Sequence, residues 1–143
     1  MRIVLLGPQG SGKMDLAQKI EATYQTVVIT QGSVLDTATN EPGELGRLAK
    51  EARDTSRVSD DLLLALLRIQ LPKMDLSQGY VLVDIPKNAG QAEVLESLLY
   101  DLGRPIDLVF NLEVNSDDLM ERLVGHIQCD SCGERYNLYV NPP

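Results

Sequence analysis

The sequence predicts an α/β fold in which helices flank a parallel sheet. Short apolar runs rich in β-branched residues alternate along the chain with longer segments of helical periodicity. The first apolar run also leads straight into a glycine-rich turn and then a helix, which is the local order of a βα unit. Connections between such strands are right-handed crossovers, and 143 residues suit one domain of this kind.

The first half of the chain begins with a predicted strand at Arg2–Leu6, whose unbroken apolar run is typical of a strand covered on both faces. A helix follows over residues 13–23, because Leu16, Ala17 and Ile20 recur at helical spacing. The next predicted elements are a strand over residues 26–30 and three helices over residues 34–39, 44–53 and 59–71.

The second half of the chain is divided by proline and glycine. A strand is predicted over residues 81–84 and ends before Pro86, and a helix over residues 92–102 stops at Gly103. The last predicted elements are a strand over residues 106–112 and a helix that begins at Ser116 and ends by Gly125.

Three glycines, Gly7, Gly10 and Gly12, lie between the first strand and the first helix, and Lys13 follows them. Glycine accepts positive φ angles, so the backbone amides of such a loop can turn toward one point. The helix dipole and the lysine charge add a positive field there, which favours a phosphate. The spacing fits the GxxxxGK pattern of a phosphate-binding loop (P-loop). The alternative is a tight strand-to-helix turn that holds no ligand.

The two residues after the loop depart from that pattern. Met14 stands where a Ser or Thr hydroxyl for Mg²⁺ is expected. Asp15 suits the positive end of the helix dipole, but it would repel phosphates unless a metal ion or a basic group lies between them.

The carboxyl ends of the predicted strands bring the segments 7–13, 31–33 and 84–87 to one rim of the sheet, where ligands bind in folds of this class. Asp84 could hold Mg²⁺ there, directly or through water, or it could cap the turn before Pro86. Lys87 could meet a second phosphate group or be a solvated surface lysine.

The overall charge is strongly acidic, with 13 basic and 21 acidic residues and a net charge of −8. This charge argues against binding to nucleic acid or to anionic membranes, so a phosphate site must be built locally. No apolar run reaches the length of a signal-peptide core or a membrane span, and we therefore expect a cytoplasmic protein.

Five segments spread over the whole chain resemble motifs of the adenylate kinase family. They are MRIVLLGPQGSGK, ELG at residues 44–46, VSDDLLLALL, VLVDIPKNAGQA and ERLVGHIQCDSCGERYNLYVNPP. The resemblance implies a P-loop NTPase fold of the nucleoside monophosphate kinase type. It also implies a core at residues 1–30 and 58–121, a monophosphate-binding region at residues 31–57 and a partial lid at residues 122–143.

Members of this family transfer the terminal phosphoryl group of MgATP to AMP, which gives two ADP. The resemblance therefore implies ATP with Mg²⁺, and AMP as acceptor. Lys13, Lys87 and Arg122 would be catalytic, as cations that converge on the transferred group. The implied donor-binding residues are Gly7, Gly10, Ser11, Gly12, Lys13 and Arg122, and the implied acceptor-binding residues are Gly32, Arg57, Val58, Lys87 and Gln91.

Several positions differ from the family pattern. Gln31 stands where the family has Thr, Asp36 and Lys87 stand where it has Arg, and His126 replaces a lid arginine. Each lost charge-assisted contact in a dry site could cost on the order of 2 to 4 kcal/mol of transition-state stabilisation. The alternative function is therefore a non-catalytic module for nucleotide binding or assembly on the same fold.

Cys129 and Cys132 form a CxxC pair that resembles half of the zinc lid found in many relatives. Thiolates at this spacing suit tetrahedral Zn²⁺, but zinc needs four ligands and only His126 is conceivable as a third. The alternatives are two ordinary reduced thiols, a redox pair, or a zinc site that pools four thiols from two chains.

Compared with the family, the sequence lacks the last sheet strand and the final helices. An uncovered sheet edge favours association. Either the sequence is a piece of a longer protein, or the missing cover comes from another subunit. In the second case we expect a homodimer, or a partner that covers the flank beside residues 106–112.

Overall fold

The fold is described from a computed structural model, which covers residues 1–139 and 141–142. Within these residues, no helix combines the length and apolarity needed to cross a membrane. The strands are β1 (Arg2–Leu6), β2 (Val27–Thr30), β3 (Tyr80–Val83), β4 (Leu108–Asn111), β5 (His126–Gln128) and β6 (Arg135–Asn137). The helices are α1 (Lys13–Tyr24), α2 (Gln31–Ala38), α3 (Glu44–Thr55), α4 (Asp60–Gln70), α5 (Ala89–Asp101) and α6 (Ser116–Val124), with a 3₁₀ turn at Leu71–Lys73.

The main sheet has four parallel strands in the order β2-β3-β1-β4. At its centre, Val4 of β1 lies opposite Leu82 of β3 on one side and Val109 of β4 on the other. The order places the carboxyl ends of β1 and β3 side by side. The predicted α/β fold with a parallel sheet between helices is confirmed.

Apolar side chains fill both faces of this sheet. Val4, Ile29 and Leu82 pack with residues of α2, α3, α4 and α5 in the larger core. The alternate residues of β1 and β3 point the other way and pack against Ala17 of α1 in a second core of five buried residues. Burial on both faces explains why β1 and β3 appear in the sequence as continuous apolar runs.

Two helices begin three residues earlier than the sequence predicts. The hydroxyl of Thr30 accepts a hydrogen bond from the Ser33 amide, and the Ser33 hydroxyl in turn accepts one from the Thr30 amide, so α2 begins directly after β2. The side chain of Asn88 accepts from the Gln91 amide in the same way and starts α5. These caps are polar, so apolar periodicity cannot reveal them.

β4 forms one edge of the four-stranded sheet. Among the described residues it pairs only with β1, and Leu108, Val109 and Phe110 are 50%, 58% and 45% exposed. Beyond it, α6 leads into the antiparallel hairpin of β5 and β6. The hairpin turn carries Cys129 and Cys132.

Candidate functional site

The turn between β1 and α1 has a backbone that glycine alone adopts easily. Gly10 and Gly12 have φ angles of 85° and 86°, in the left-handed region. A Cβ atom at Gly10 would lie 3.2 Å from a methyl carbon of Leu119 and 3.3 Å from one of Leu123, because α6 packs over the loop. Gly12 is the N-cap of α1 and has no side chain to pair with the first-turn amides. These amides suit an anion.

Lys13 is folded back into the loop. Its side chain is only 6% exposed, and its ammonium group donates to the carbonyl oxygens of Gly7 and Pro8, the latter at 2.8 Å. The same Nζ atom lies 3.0 Å from Oδ1 of Asp84, which follows β3. The charge of the loop lysine is therefore already balanced by a carboxylate at the end of the neighbouring strand.

We call the space around this turn the loop cavity; its volume is about 550 Å³. Six of the predicted residues line it: Gly10, Ser11, Gly12, Lys13, Asp84 and Arg122. Gly7 does not line it but holds Lys13 through its carbonyl group. The guanidinium group of Arg122 donates to the Gly10 carbonyl at 3.3 Å, which brings a second cation to the loop. Met14, Asp15 and His126 line the cavity as well.

A second space of about 950 Å³, the helix cavity, lies beside α3, the start of α4 and the start of α5. It brings together four residues of the predicted acceptor site: Arg57, Val58, Lys87 and Gln91. Gly32, the fifth, is exposed in the first turn of α2 and does not line the cavity. Asp84 lines the loop cavity and Lys87 lines the helix cavity, so the segment after β3 serves both.

Comparison with known proteins agrees with this geometry. The family model described as "Adenylate kinase" matches residues 5–142. The chain belongs to the adenylate kinase family.

Individual adenylate kinases support the same assignment. The chain is 38% identical over 144 residues to an adenylate kinase of Nitrosococcus oceani, 41% identical over 144 residues to one of Bacillus pumilus, and 37% identical over 144 residues to one of Methanosarcina barkeri. Each alignment covers 100% of this chain and 66% of the relative. The chain thus spans slightly less than two-thirds of the length of these adenylate kinases.

The positions that depart from the adenylate kinase pattern have defined surroundings. The carboxylate of Asp36 forms an ion pair with Arg53 of α3, and neither residue lines the two cavities. Gln31 lines the helix cavity at the start of α2. Asp15 lies within the loop cavity, where it adds negative charge.

The cysteine pair lies apart from both cavities. Backbone amides of Cys132 and Ser131 donate to the sulfur of Cys129, and these hydrogen bonds lower the pKa of the Cys129 thiol. Within the described residues, no group of three or more His, Cys, Asp or Glu side chains is placed to hold a metal ion. The pair offers two of the four ligands that tetrahedral zinc needs.

Sequence reasoning missed two polar residues beside these cavities. Asn137 is 8% exposed, and its side-chain amide donates to the carbonyl groups of Glu121 and Arg122 at 3.3 and 2.8 Å. Asp60 lines the helix cavity and accepts a hydrogen bond from Gln91. No sequence signal marks Asn137, whereas Asp60 has the signature of an ordinary first-turn carboxylate and nothing more.

Proposed function

We propose that this chain binds MgATP in the loop cavity and AMP in the helix cavity, and transfers a phosphoryl group from the first to the second. The single observation that carries this proposal is the segment after β3. Asp84 faces Lys13 in the loop cavity, and Lys87, three positions later, lines the helix cavity. Phosphates bound in the two cavities would converge on this segment, as phosphoryl transfer requires.

The residues of the loop cavity fit a nucleotide with its magnesium ion. The hydroxyl of Ser11 is buried and has no hydrogen-bond partner within the described residues, so a ligand oxygen could satisfy it. Lys13 and Arg122 would bind phosphate oxygens, and Asp84 would hold Mg²⁺ directly or through water. When bound, Mg²⁺ would neutralise phosphate charge that develops in the transition state.

The residues of the helix cavity fit a nucleoside monophosphate as the acceptor. Arg57 and Lys87 supply the positive charge, while Val58 supplies apolar surface and Gln91 an amide that can pair with a base edge. We assign residues 31–57 to monophosphate binding and residues 122–143 to a lid over the donor. Positions 140 and 143 of that lid lie outside the described residues.

A second candidate function is nucleotide binding without turnover. It is favoured by Asp15 and Met14 in the loop cavity, which add a negative charge and leave out a hydroxyl. The ion pair between Asp36 and Arg53 also leaves both side chains outside the helix cavity. The number of cations available to the transferred group is lower than the family pattern provides.

Turnover and binding have to be measured side by side. Purified chain is incubated with Mg²⁺, ATP and AMP, and ADP is followed by chromatography, while calorimetry measures the affinity for each nucleotide. ADP formation that requires AMP supports the kinase. ATP binding without ADP formation supports the non-catalytic module, and the absence of any nucleotide binding rejects both.

A further inference from the structure

The side chain of Gln91 lies at the wall of the helix cavity but is almost fully enclosed, with an exposed fraction of 2%. Its Oε1 atom accepts a hydrogen bond of 2.8 Å from the backbone amide of Lys87. Its Nε2 atom donates one of 2.7 Å to Oδ1 of Asp60. Both ends of the amide therefore have a protein partner before any ligand arrives.

These two contacts allow only one orientation of the amide. A backbone N–H can only donate, so the end that faces Lys87 has to be the oxygen. A carboxylate can only accept, so the end that faces Asp60 has to be the nitrogen. Turning the amide over would set two donors against each other at Lys87 and two acceptors against each other at Asp60, which would leave buried polar groups unpaired.

Asp60 is itself held in place. Its second oxygen, Oδ2, accepts a hydrogen bond of 2.7 Å from Nδ2 of Asn88. Oδ1 of Asn88 in turn accepts one of 2.9 Å from the backbone N–H of Gln91. The carboxylate also sits in the first turn of α4, next to the Ser59 cap. Asp60, Asn88 and Gln91 thus form a closed ring of hydrogen bonds that joins α4 to the start of α5, and the Lys87 amide is attached to it through Gln91.

We propose that Asp60 is a positioning residue that fixes the orientation of the Gln91 amide and so makes the helix cavity discriminate between 6-amino and 6-oxo purine monophosphates. This proposal rests on the acceptor role given to the helix cavity above. Asp60 acts through Gln91 and needs no contact with the base.

The reason lies in the hydrogen-bond pattern of the base edge. A 6-amino purine offers a ring acceptor beside an amino donor, and a 6-oxo purine offers a ring donor beside an oxo acceptor. A free amide could turn over and pair with either edge. An amide locked by Asp60 and Lys87 keeps one spare N–H and one spare lone pair in fixed places, so it pairs with only one of them.

The first test needs no ligand. The variant Asp60→Asn keeps the shape of the side chain but leaves one acceptor oxygen for two donors, Gln91 and Asn88. We expect the side-chain NH₂ resonances of Gln91 to shift and to exchange faster with solvent in this variant. The matched control is Asp61→Asn, which removes the same charge from the same helical turn at a residue that does not line the cavity.

The second test compares AMP with IMP, which differ at the purine edge, by calorimetric binding to the whole chain. We expect the ratio of the two dissociation constants to move about tenfold closer to 1 in Asp60→Asn, because leaving a buried polar group unpaired changes an affinity by about tenfold. Asp61→Asn should keep the ratio, and ATP affinity should be unchanged in both variants.

The outcomes separate this inference from the proposed function. Unchanged Gln91 resonances and an unchanged AMP to IMP ratio in Asp60→Asn, with normal AMP binding by the wild type, overturn the positioning role alone. A wild-type chain that binds neither monophosphate overturns the acceptor site and the discrimination together. If the ratio of the AMP and IMP dissociation constants moves toward 1 to a similar extent in both Asp60→Asn and Asp61→Asn, the effect is due to the lost charge, and the positioning role of Asp60 is rejected.

Discussion

The Nζ atom of Lys13 lies 3.0 Å from Oδ1 of Asp84 and joins the P-loop to the end of β3. The lysine is 6% exposed while the aspartate is 51% exposed, so the pair has a buried cation and an accessible carboxylate. An incoming ligand therefore meets Asp84 before Lys13. This order suits a ligand that arrives with its own cation.

Removal of the lysine charge tests the loop cavity directly. We expect Lys13→Gln to lower the rate of ADP formation on the order of a hundredfold or more, because a donor to the transferred phosphoryl group is lost. Initial rates with saturating ATP and AMP measure the effect. Lys19→Gln, on the exposed side of α1, is the control and should retain the wild-type rate. A Lys13→Gln chain that works at the wild-type rate would remove Lys13 from the mechanism.

Magnesium dependence should reside in Asp84 and not in Asp15. In the wild type we expect chelation of Mg²⁺ to weaken ATP binding about tenfold or more, because Asp84 would help to hold the Mg²⁺ that neutralises the phosphates. In Asp84→Asn this loss should largely disappear, and metal-free ATP binding should be at least as strong as in the wild type, because a repulsive charge is gone.

Asp15→Asn is the comparison, since Asp15 lines the same cavity. The Asp15→Asn variant should remove the repulsion between Asp15 and the ATP phosphates, while Mg²⁺ should still strengthen ATP binding. Calorimetric titrations with and without EDTA distinguish these cases, and an equal loss of the magnesium effect in both variants would contradict the role of Asp84.

Substitutions at Gly10 and Gly12 distinguish the effect of backbone strain from the effect of packing. Both have positive φ, but an added Cβ atom meets nothing within 4 Å at Gly12, whereas at Gly10 it meets Leu119 and Leu123. We expect Gly12→Ala to lower the free energy of unfolding by about 1 kcal/mol and Gly10→Ala by roughly 2 kcal/mol. Urea unfolding of the ligand-free chain measures both, and equal losses would show that α6 does not press on the loop.

The thiol of Cys129 should react at a lower pH than an ordinary cysteine thiol. Hydrogen bonds from the backbone amides of Cys132 and Ser131 stabilise its thiolate and lower its pKa. An ordinary cysteine has a pKa of about 8.5. The alkylation rate of Cys129 should therefore reach half of its maximum at a pH below that value. Mass spectrometry after timed iodoacetamide treatment in the presence of a chelator measures this midpoint. In urea the midpoint should return to the ordinary value; a folded midpoint equal to the urea value would contradict the amide contacts.

Association should depend on β4. Leu108, Val109 and Phe110 expose apolar surface along an open edge, so we expect concentration-dependent dimers in sedimentation experiments. Val109→Lys should shift the chain to monomer, because a charge would be buried in the contact. Val124→Lys, at a residue of α6 that is 63% exposed, should not. A wild-type chain that stays monomeric at high concentration rejects this expectation.

The positions of β1 to β4 followed from the sequence because each of these strands is a short apolar run between turn residues. The hairpin strands β5 and β6 did not, since they are only three residues long and mostly polar. The first turns of α2 and α5 did not, since Thr30, Ser33 and Asn88 start these helices with hydrogen bonds that leave no apolar pattern. The P-loop was predictable for a different reason. Its glycines and lysine act together within seven consecutive residues, so their spacing alone identifies them.

The polar network around Gln91 illustrates what spacing cannot give. Asp60 and Gln91 are 31 positions apart, and they meet only because α4 packs against the start of α5. Residues that share a site through such packing carry no local signature, and each of them alone looks like a common surface residue.

Asn137 connects the β5–β6 hairpin to α6. It belongs to β6 of the hairpin, yet its amide holds the last carbonyl groups of α6, and the Leu138 amide adds a hydrogen bond of 2.9 Å to the Gly125 carbonyl. These hydrogen bonds tie the hairpin to the C-terminal end of α6, which carries Arg122, while Cys129 and Cys132 lie in the hairpin turn. Because Arg122 also donates to the Gly10 carbonyl, the hairpin that carries the cysteines is connected to the P-loop through α6.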